Sequence, residues 1–273
     1  MSVDTPGNNP RSAPAISIVV PTYNERGRLA DLVGAIFAIL GRHHVDGEVL
    51  IVDDNSPDGT GALADDLAAR HPMRVIHRAG KFGLGTAVME GFAAARSAVL
   101  GVMDADLSHP PELIPAMLSI LDKTGADVVV ASRYVAGGGT RNWPLGRLLM
   151  SRVACLLARP ITPVRDATSG FFLIRRQVID GVGISAGGFK ICLELLVRSR
   201  PSLVVEVPYV FLNRTVGESK MTGREALGYV RQLRDLYRHR SSPNAGPRPR
   251  YRSIPAEVGT TDAPDSAGST PVR

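Results

Sequence analysis

The sequence predicts an α/β fold on a mostly parallel sheet, and three observations predict it. Short runs rich in Val, Ile and Leu alternate with helix-like segments from residue 16 to residue 131. The runs are nearly all apolar, as required of strands covered by helices on both faces. Each of the first four runs is followed by a polar loop and then a helical pattern, which is the order of βαβ units.

Taken in order, ISIVV at 16–20 is a strand and 29–40 a helix; VLIV at 49–52 is a strand and 60–70 a helix. MRVI at 73–76 is a strand and 86–95 a helix; VLGVM at 99–103 is a strand and 111–121 a helix; VVVA at 128–131 is a further strand. The folded part is expected over 15–240. Residues 1–14 and 241–273 are rich in Pro, Ser, Gly and Asn and poor in large apolar side chains, so both are expected to be disordered.

Composition narrows the function. The chain has 273 residues, 44% hydrophobic and 21% charged, which fits a globular protein rather than a disordered one. Its two cysteines form no disulfide framework and no zinc spacing. Mean hydropathy is +0.04, and no apolar run reaches the ~18 residues of a membrane span. The first residues lack the order of a signal peptide, so a cytoplasmic protein is expected.

The net charge is +6 and the isoelectric point about 9.7. Of 32 basic residues only four are lysine (Lys81, Lys123, Lys190, Lys220), leaving 28 arginines. A basic region between residues 141 and 200 favours an anionic partner. Nucleic acid does not fit: aromatic residues are only 5%, without interleaving among the basic residues or a known binding module.

In parallel sheets ligands sit beyond the carboxyl ends of the strands. Four successive strands here end in PTYNE (21–25), DDNSPDGT (53–60), RAGKFGLG (78–85) and DADLSHPP (104–111). Four polar loops on one rim point to a polar ligand. Asp104 and Asp106, two apart at a strand end, can converge on a hard divalent cation that shares its oxygens with phosphates. Alone, the same pair also serves as solvated turn residues capping a helix. The glycine-rich loop at 80–85 lacks the ending of a P-loop and the spacing of a dinucleotide fingerprint, which excludes both readings.

These motifs, with SRY (132–134), NWP (142–144), TSGF (168–171), GFK (188–190) with Glu194, and GESKM (217–221), resemble the family-2 glycosyltransferases. Within them the pattern is most similar to the dolichol-phosphate or polyprenol-phosphate mannosyltransferases, and it runs in order from about residue 16 to 237. The resemblance implies a GT-A fold, a Rossmann-like domain binding a sugar nucleotide. It implies transfer of mannose, with inversion, from GDP-mannose to a polyprenyl phosphate, dependent on Mg²⁺ or Mn²⁺.

By the same resemblance, Asp104, Asp106 and Ser108 hold the metal, Ser108 standing where some relatives carry Gln. Pro21, Tyr23, Glu25, Val52, Asp54, Ala105, Arg133 and Lys190 line the nucleotide sugar together with the metal carboxylates. Arg214 and Lys220 hold the diphosphate. Arg133, Arg147 and Ser151 receive the acceptor phosphate, and Asp106, Arg133 and Arg147 carry the catalysis. Spacing alone does not separate Asp53 from Asp54. A phosphate monoester has a second pKa of ~6 and is already anionic near neutrality, so no general base is required. His109 is expected to be a turn residue.

An oily acceptor needs a route to the membrane. Residues 147–159 form a short apolar segment flanked by arginine, and 223–240 a second basic amphipathic one. Either suits peripheral association at the cytoplasmic face, directly or through a membrane-anchored partner; a core helix has the same pattern. The alternatives are a UDP-hexose transferase acting on the same acceptor, and a non-catalytic nucleotide-sugar-binding subunit. The complete set of Asp104, Asp106, Arg214 and Lys220 speaks against the latter.

Overall fold

The computed structural model describes residues 13–184, 190–212 and 223–254. Its first half alternates as expected: β1 (Ile16–Thr22), α1 (Arg26–Arg42), β2 (Gly47–Asp53), α2 (Thr60–Ala68), β3 (Met73–His77), α3 (Leu84–Ala94), β4 (Val99–Val102), α4 (Leu113–Thr124) and β5 (Val128–Ser132). The second half adds β6 (Gly139–Arg141), α5 (Leu145–Ala158), β7 (Phe172–Arg175), α6 (Arg176–Ile179), α7 (Ile191–Arg198), β8 (Leu203–Pro208), β9 (Val210–Leu212), α8 (Gly223–Arg240) and β10 (Arg250–Ser253).

Eight strands form one sheet in the order β10-β8-β5-β7-β4-β1-β2-β3. Every pairing is parallel except those of β7, which runs antiparallel between β4 and β5. A separate parallel pair, β6 and β9, lies outside it.

Side chains alternate between two cores, one on each face of the sheet. Ile16, Ile18 and Val20 of β1, with Val49 and Ile51 of β2, pack under α1, α2 and α4. Val19, Leu50 and Val52 face the other way, against α3, α7 and α8. Both faces are covered, so the strands read as continuous apolar runs. Helix α3 sits close to the sheet: a Cβ at Gly91 would lie 2.5 Å from Val19 Cγ1.

Residues 241–254 correct the expectation of a disordered tail. A single 3-10 turn at Pro243–Ala245 leads into β10, which pairs in parallel with β8 from Arg250↔Leu203 to Ser253↔Glu206. The Arg250 N–H donates to Ser202 O at 2.9 Å and the Ile254 N–H to Glu206 O at 3.0 Å. The cause is main-chain chemistry. The free edge of β8 presents unpaired peptide groups, and pairing them needs few apolar side chains. Tyr251 and Ile254 add partial burial against the two cores. The expectations for 1–12 and 255–273 fall outside the described residues. Among the described residues no helix is long and apolar enough to cross a membrane.

Candidate active site

The chain leaves β1 for β2 and β3 on one side, then returns to β4 on the other. That reversal makes the carboxyl ends of β1 and β4 a topological switch point, where open α/β sheets form a crevice. Since β1 to β4 are parallel neighbours, their four polar loops share that rim. Three of the loops turn through a non-glycine residue of positive φ: Asn24 (61°), Asn55 (56°) and Leu107 (61°). Asn tolerates this conformation; Leu does not gain from it. The strained residue therefore follows Asp106.

On the β1–β3 side, Lys81 Nζ lies over the Tyr23 ring, 4.0 Å from its centroid. Pro21 and Glu25 are partly exposed beside them. Asp53 and Asp54 are separated by their partners. Asp53 accepts from Thr22 Oγ1 (3.0 Å), Ser56 N (2.9 Å) and Ser56 Oγ (2.6 Å), so it holds the loop together. Asp54 is nearly buried against the guanidinium of Arg78, which also donates to Thr86 Oγ1 at 2.6 Å. Burial raises the Asp54 pKa, with Arg78 opposing. Arg78 is a rim residue that sequence reasoning missed. The side chains of Val52 and Ala105 belong to the cores, so only their main chains can meet a ligand.

After β4, Asp104 remains partly exposed while Asp106 is buried and accepts the Ser108 N–H at 3.0 Å. Ser108 Oγ is buried without a hydrogen-bond partner, which costs ~1–3 kcal/mol unless something takes its lone pair. A Cβ on Gly170 would lie 2.4 Å from Asp104 Oδ2, so the glycine leaves room for that carboxylate. Two carboxylates and an unpartnered hydroxyl are all hard oxygen donors and fit a divalent cation such as Mg²⁺ or Mn²⁺. Among the described residues no three His, Cys, Asp or Glu side chains converge. The donor set therefore leaves coordination positions for phosphate oxygens.

His109 is buried. Its Nδ1 accepts the Asp104 N–H at 3.3 Å, and its ring lies against Phe171 and Phe211, with centroids 5.4 and 5.7 Å away. Burial lowers its pKa although Asp104 and Asp106 oppose the shift. It buttresses the loop as a neutral ring.

The aromatic seam continues from Phe211 to Trp143, 5.1 Å between centroids. Two sequence-predicted arginines meet there: Arg147 stacks on the Trp143 ring at 4.2 Å, and Arg133 lies 5.3 Å from the same centroid. Arg133 is nearly buried. It donates from Nε and Nη2 to the two oxygens of Asp166 at 2.7 and 2.6 Å, and from Nη2 to Thr168 Oγ1 at 3.1 Å. Burial alone would disfavour its charge; the Asp166 carboxylate overrides this and raises its pKa. Beneath, Glu206 accepts the N–H groups of Arg165 (2.7 Å) and Asp166 (2.9 Å), which fixes the loop. Asp166 and Glu206 escaped sequence reasoning because their partners are 33 and 40 residues away. Ser151 accepts the Tyr134 hydroxyl at 2.7 Å.

Lys190, at the start of α7, is partly buried, which lowers its pKa; Asp104 is the leading opposing charge. The structure thus brings Asp104, Asp106, Ser108, Arg133, Arg147, Ser151 and Lys190 to one end of the sheet. Arg214 and Lys220 lie outside the described residues.

Comparison with known proteins identifies the family. Residues 17–183 match the model of glycosyl transferase family 2. A dolichol-phosphate mannosyltransferase from Pyrococcus furiosus is 42% identical over 80% of this chain and 62% of its own length. The polyprenol monophosphomannose synthase of Mycolicibacterium smegmatis is 42% identical over 77% of this chain and 83% of its own. The dolichol-phosphate mannosyltransferase of Saccharomyces cerevisiae is 37% identical over 81% and 86%. Among solved structures, a mannosyltransferase from Pyrobaculum calidifontis in complex with GDP-Man and Mn²⁺ shares the fold, with a TM-score of 0.59 at 18% identity over 88% of this chain and 68% of that one. The switch-point crevice, its Asp-Ala-Asp loop and these matches lead to one conclusion: the chain belongs to glycosyl transferase family 2.

Proposed function

We propose that the chain transfers a mannosyl group from GDP-mannose to the phosphate of a polyprenol, with inversion. The observation that carries this reading is the link from the Asp104–Asp106 loop, through His109 and the Phe211 ring, to two arginines supported on Phe211 and Trp143. It occurs in a chain 42% identical to relatives bearing those names.

Tyr23, Asp54 and Lys81 receive the nucleoside at the ends of β1 to β3, and Arg214 and Lys220 the diphosphate. Asp104, Asp106 and Ser108 hold a divalent cation, which when bound neutralises charge on the departing diphosphate. Arg147 and Ser151 orient the acceptor phosphate, and Arg133, fixed by Asp166, lines its other side. A phosphate oxygen forms the new bond to the sugar's anomeric carbon as the bond to the diphosphate breaks, and GDP departs with the electron pair. The nucleophile is already an anion at neutral pH, so the site needs no base, consistent with a buried, neutral His109. The outer face of α5, with Leu145, Leu149 and Leu156 exposed, lies peripherally on the membrane that holds the acceptor.

The test is direct: purified protein with Mg²⁺ or Mn²⁺, a short polyprenyl phosphate and each labelled sugar nucleotide. A mannolipid formed from GDP-mannose alone is expected. Comparable product from UDP-glucose, or no lipid product from GDP-mannose, overturns the reading.

A further inference from the structure

A second basic site lies on the other flank of α5. A groove of about 470 Å³ is lined by Arg152, Arg159 and Arg165, with Tyr134, Leu156 and Arg133. None of its lining residues is acidic. Arg133 is already compensated by Asp166. The other three arginines make the lining basic.

Their places are set by the fold. Arg152 on α5 and Arg159 at its C-cap, still in helical conformation, are seven residues apart, close to two turns, so they share one side of the helix. Arg159 is held by a 2.7 Å bond from Nη1 to Pro163 O. The backbone of Arg165 is held by Glu206. Arg147 lies about 140° away around the helix axis at ~100° per residue, on the side of Trp143. The groove shares Arg133 and Tyr134 with the surroundings of the place proposed for the acceptor phosphate, but Arg152 and Arg159 stand on the opposite flank of α5 from Arg147.

What the groove borders decides its ligand. Leu145, Leu149, Met150, Val153, Leu156 and Leu157 of α5 are 83%, 64%, 45%, 44%, 69% and 48% exposed. At 100° per residue they fill an arc of about 140° facing away from the core. Arg152 and Arg159 stand at one border of this arc, and Leu156 belongs to both arc and groove. An inserted apolar arc with arginines at its border puts those guanidinium groups at the depth of lipid phosphates. Arginine forks match phosphate oxygens well.

We propose that the groove of Arg152, Arg159 and Arg165 binds the phosphate headgroup of an anionic membrane lipid, so that the enzyme docks preferentially on anionic bilayers. This rests on the reading that α5 lies at a membrane. Each basic residue near an anionic surface strengthens binding about five-fold, so removing two weakens it roughly 25-fold.

The experiment measures flotation of the full chain with phosphatidylcholine vesicles, with and without phosphatidylglycerol. The wild type is expected to bind both and to prefer the anionic ones. Arg152→Gln/Arg159→Gln should lose that preference and keep its affinity for neutral vesicles. Arg42→Gln/Arg70→Gln, the same charge change on exposed residues near α1 and α2, should retain it. If the wild type binds both vesicles equally, docking stands and the headgroup site falls. Equal losses in the two double variants mean general charge attraction and also overturn the site. No binding to either vesicle overturns the docking reading itself and the site with it. A raised KM for a short, soluble polyprenyl phosphate in Arg152→Gln/Arg159→Gln assigns the groove to the acceptor and overturns the proposal.

Discussion

Replacing Asp166 by Ala should damage the acceptor side through Arg133. Asp166 is wholly buried and accepts three hydrogen bonds from Arg133: from the main-chain N–H at 2.9 Å, Nε at 2.7 Å and Nη2 at 2.6 Å. Arg133 is itself only 8% exposed, so its charge would be left in the interior uncompensated. Breaking such a pair from one side costs ~3–5 kcal/mol, a large part of a typical ~5–15 kcal/mol. At ~2–4 °C per kcal/mol for a domain of this size, the melting temperature should fall by ~6–20 °C. Differential scanning calorimetry reads the stability, and initial rates against polyprenyl phosphate and GDP-mannose read the site. The acceptor KM should rise more than the donor KM, because Arg133 shares the Trp143 ring with Arg147. A double-mutant cycle with Arg133→Met separates pairing from packing, since removing both charges should cost less than the sum of the single changes. Additive losses, or a cost under ~1 kcal/mol for Asp166→Ala, would refute the argument.

Arg147→Ala should raise the acceptor KM about ten-fold or more, with donor affinity little changed, since a charge-assisted hydrogen bond is worth ~1.5–3 kcal/mol; equal losses for both substrates in steady-state kinetics would remove Arg147 from the acceptor site. Truncation after Ser241 deletes β10 and its bonds to β8, and should cost ~2–4 kcal/mol at ~1 kcal/mol per lost hydrogen bond plus partial burial; an unchanged melting curve would restore the solvated tail. Burial pushes the Glu48 carboxyl up, but bonds from the Ser17 hydroxyl and Arg96 N–H, with Arg74 nearby, leave its pKa below the ordinary 4.5. Its contribution is therefore full above about pH 4.5 and lost as pH falls through the lower folded value. Glu48→Gln should reduce stability at neutral pH and flatten the acid limb of a denaturation series; an unchanged limb sinks this assignment.

The half of the fold read correctly is the half with local signals. Strands β1 to β5 announce themselves because each carries a short apolar run, and the first four are each followed by a polar loop and a helix. Strand β10 gave no such signal: it is Arg-Tyr-Arg-Ser, and it is ordered by the peptide groups of β8. The site divides in the same way. Asp104, Asp106 and Arg133 stand in contiguous motifs, and Arg147 follows closely on the NWP motif at 142–144. Asp166 and Glu206 act through contacts more than thirty residues distant in sequence, and nothing local distinguishes them from surface carboxylates. Arg78 opens a glycine-rich loop, and nothing local marks it as the partner of Asp54, 24 residues away in sequence. Asp53 and Asp54 look equivalent in sequence and differ only in their partners, Ser56 and Thr22 for one and Arg78 for the other.

Gly170→Ala offers the cleanest separation of the metal loop from the fold. The added methyl would lie 2.4 Å from Asp104 Oδ2 and 2.8 Å from its Cγ, well inside contact distance. Gly170 has no left-handed φ, so alanine brings no backbone strain there. The clash falls on the end of a side chain, and Asp104 is 37% exposed, so its carboxylate can swing toward solvent. The unfolded chain also loses entropy with alanine, a gain of ~0.4–1 kcal/mol that offsets part of the crowding. Stability should therefore change little, while Asp104 is moved by a few tenths of an ångström or more from the position it shares with Asp106 and Ser108. Misplacing the support of a metal ligand costs ~10–100-fold in metal affinity. The Mn²⁺ concentration for half-maximal activity should rise by that factor, and saturating Mn²⁺ should restore most of the rate. Calorimetric titration of the protein with Mn²⁺ and GDP gives the same comparison without turnover. An unchanged metal requirement with an unchanged melting temperature would show that Asp104 does not hold the cation. The burden would then pass to Asp106 and Ser108.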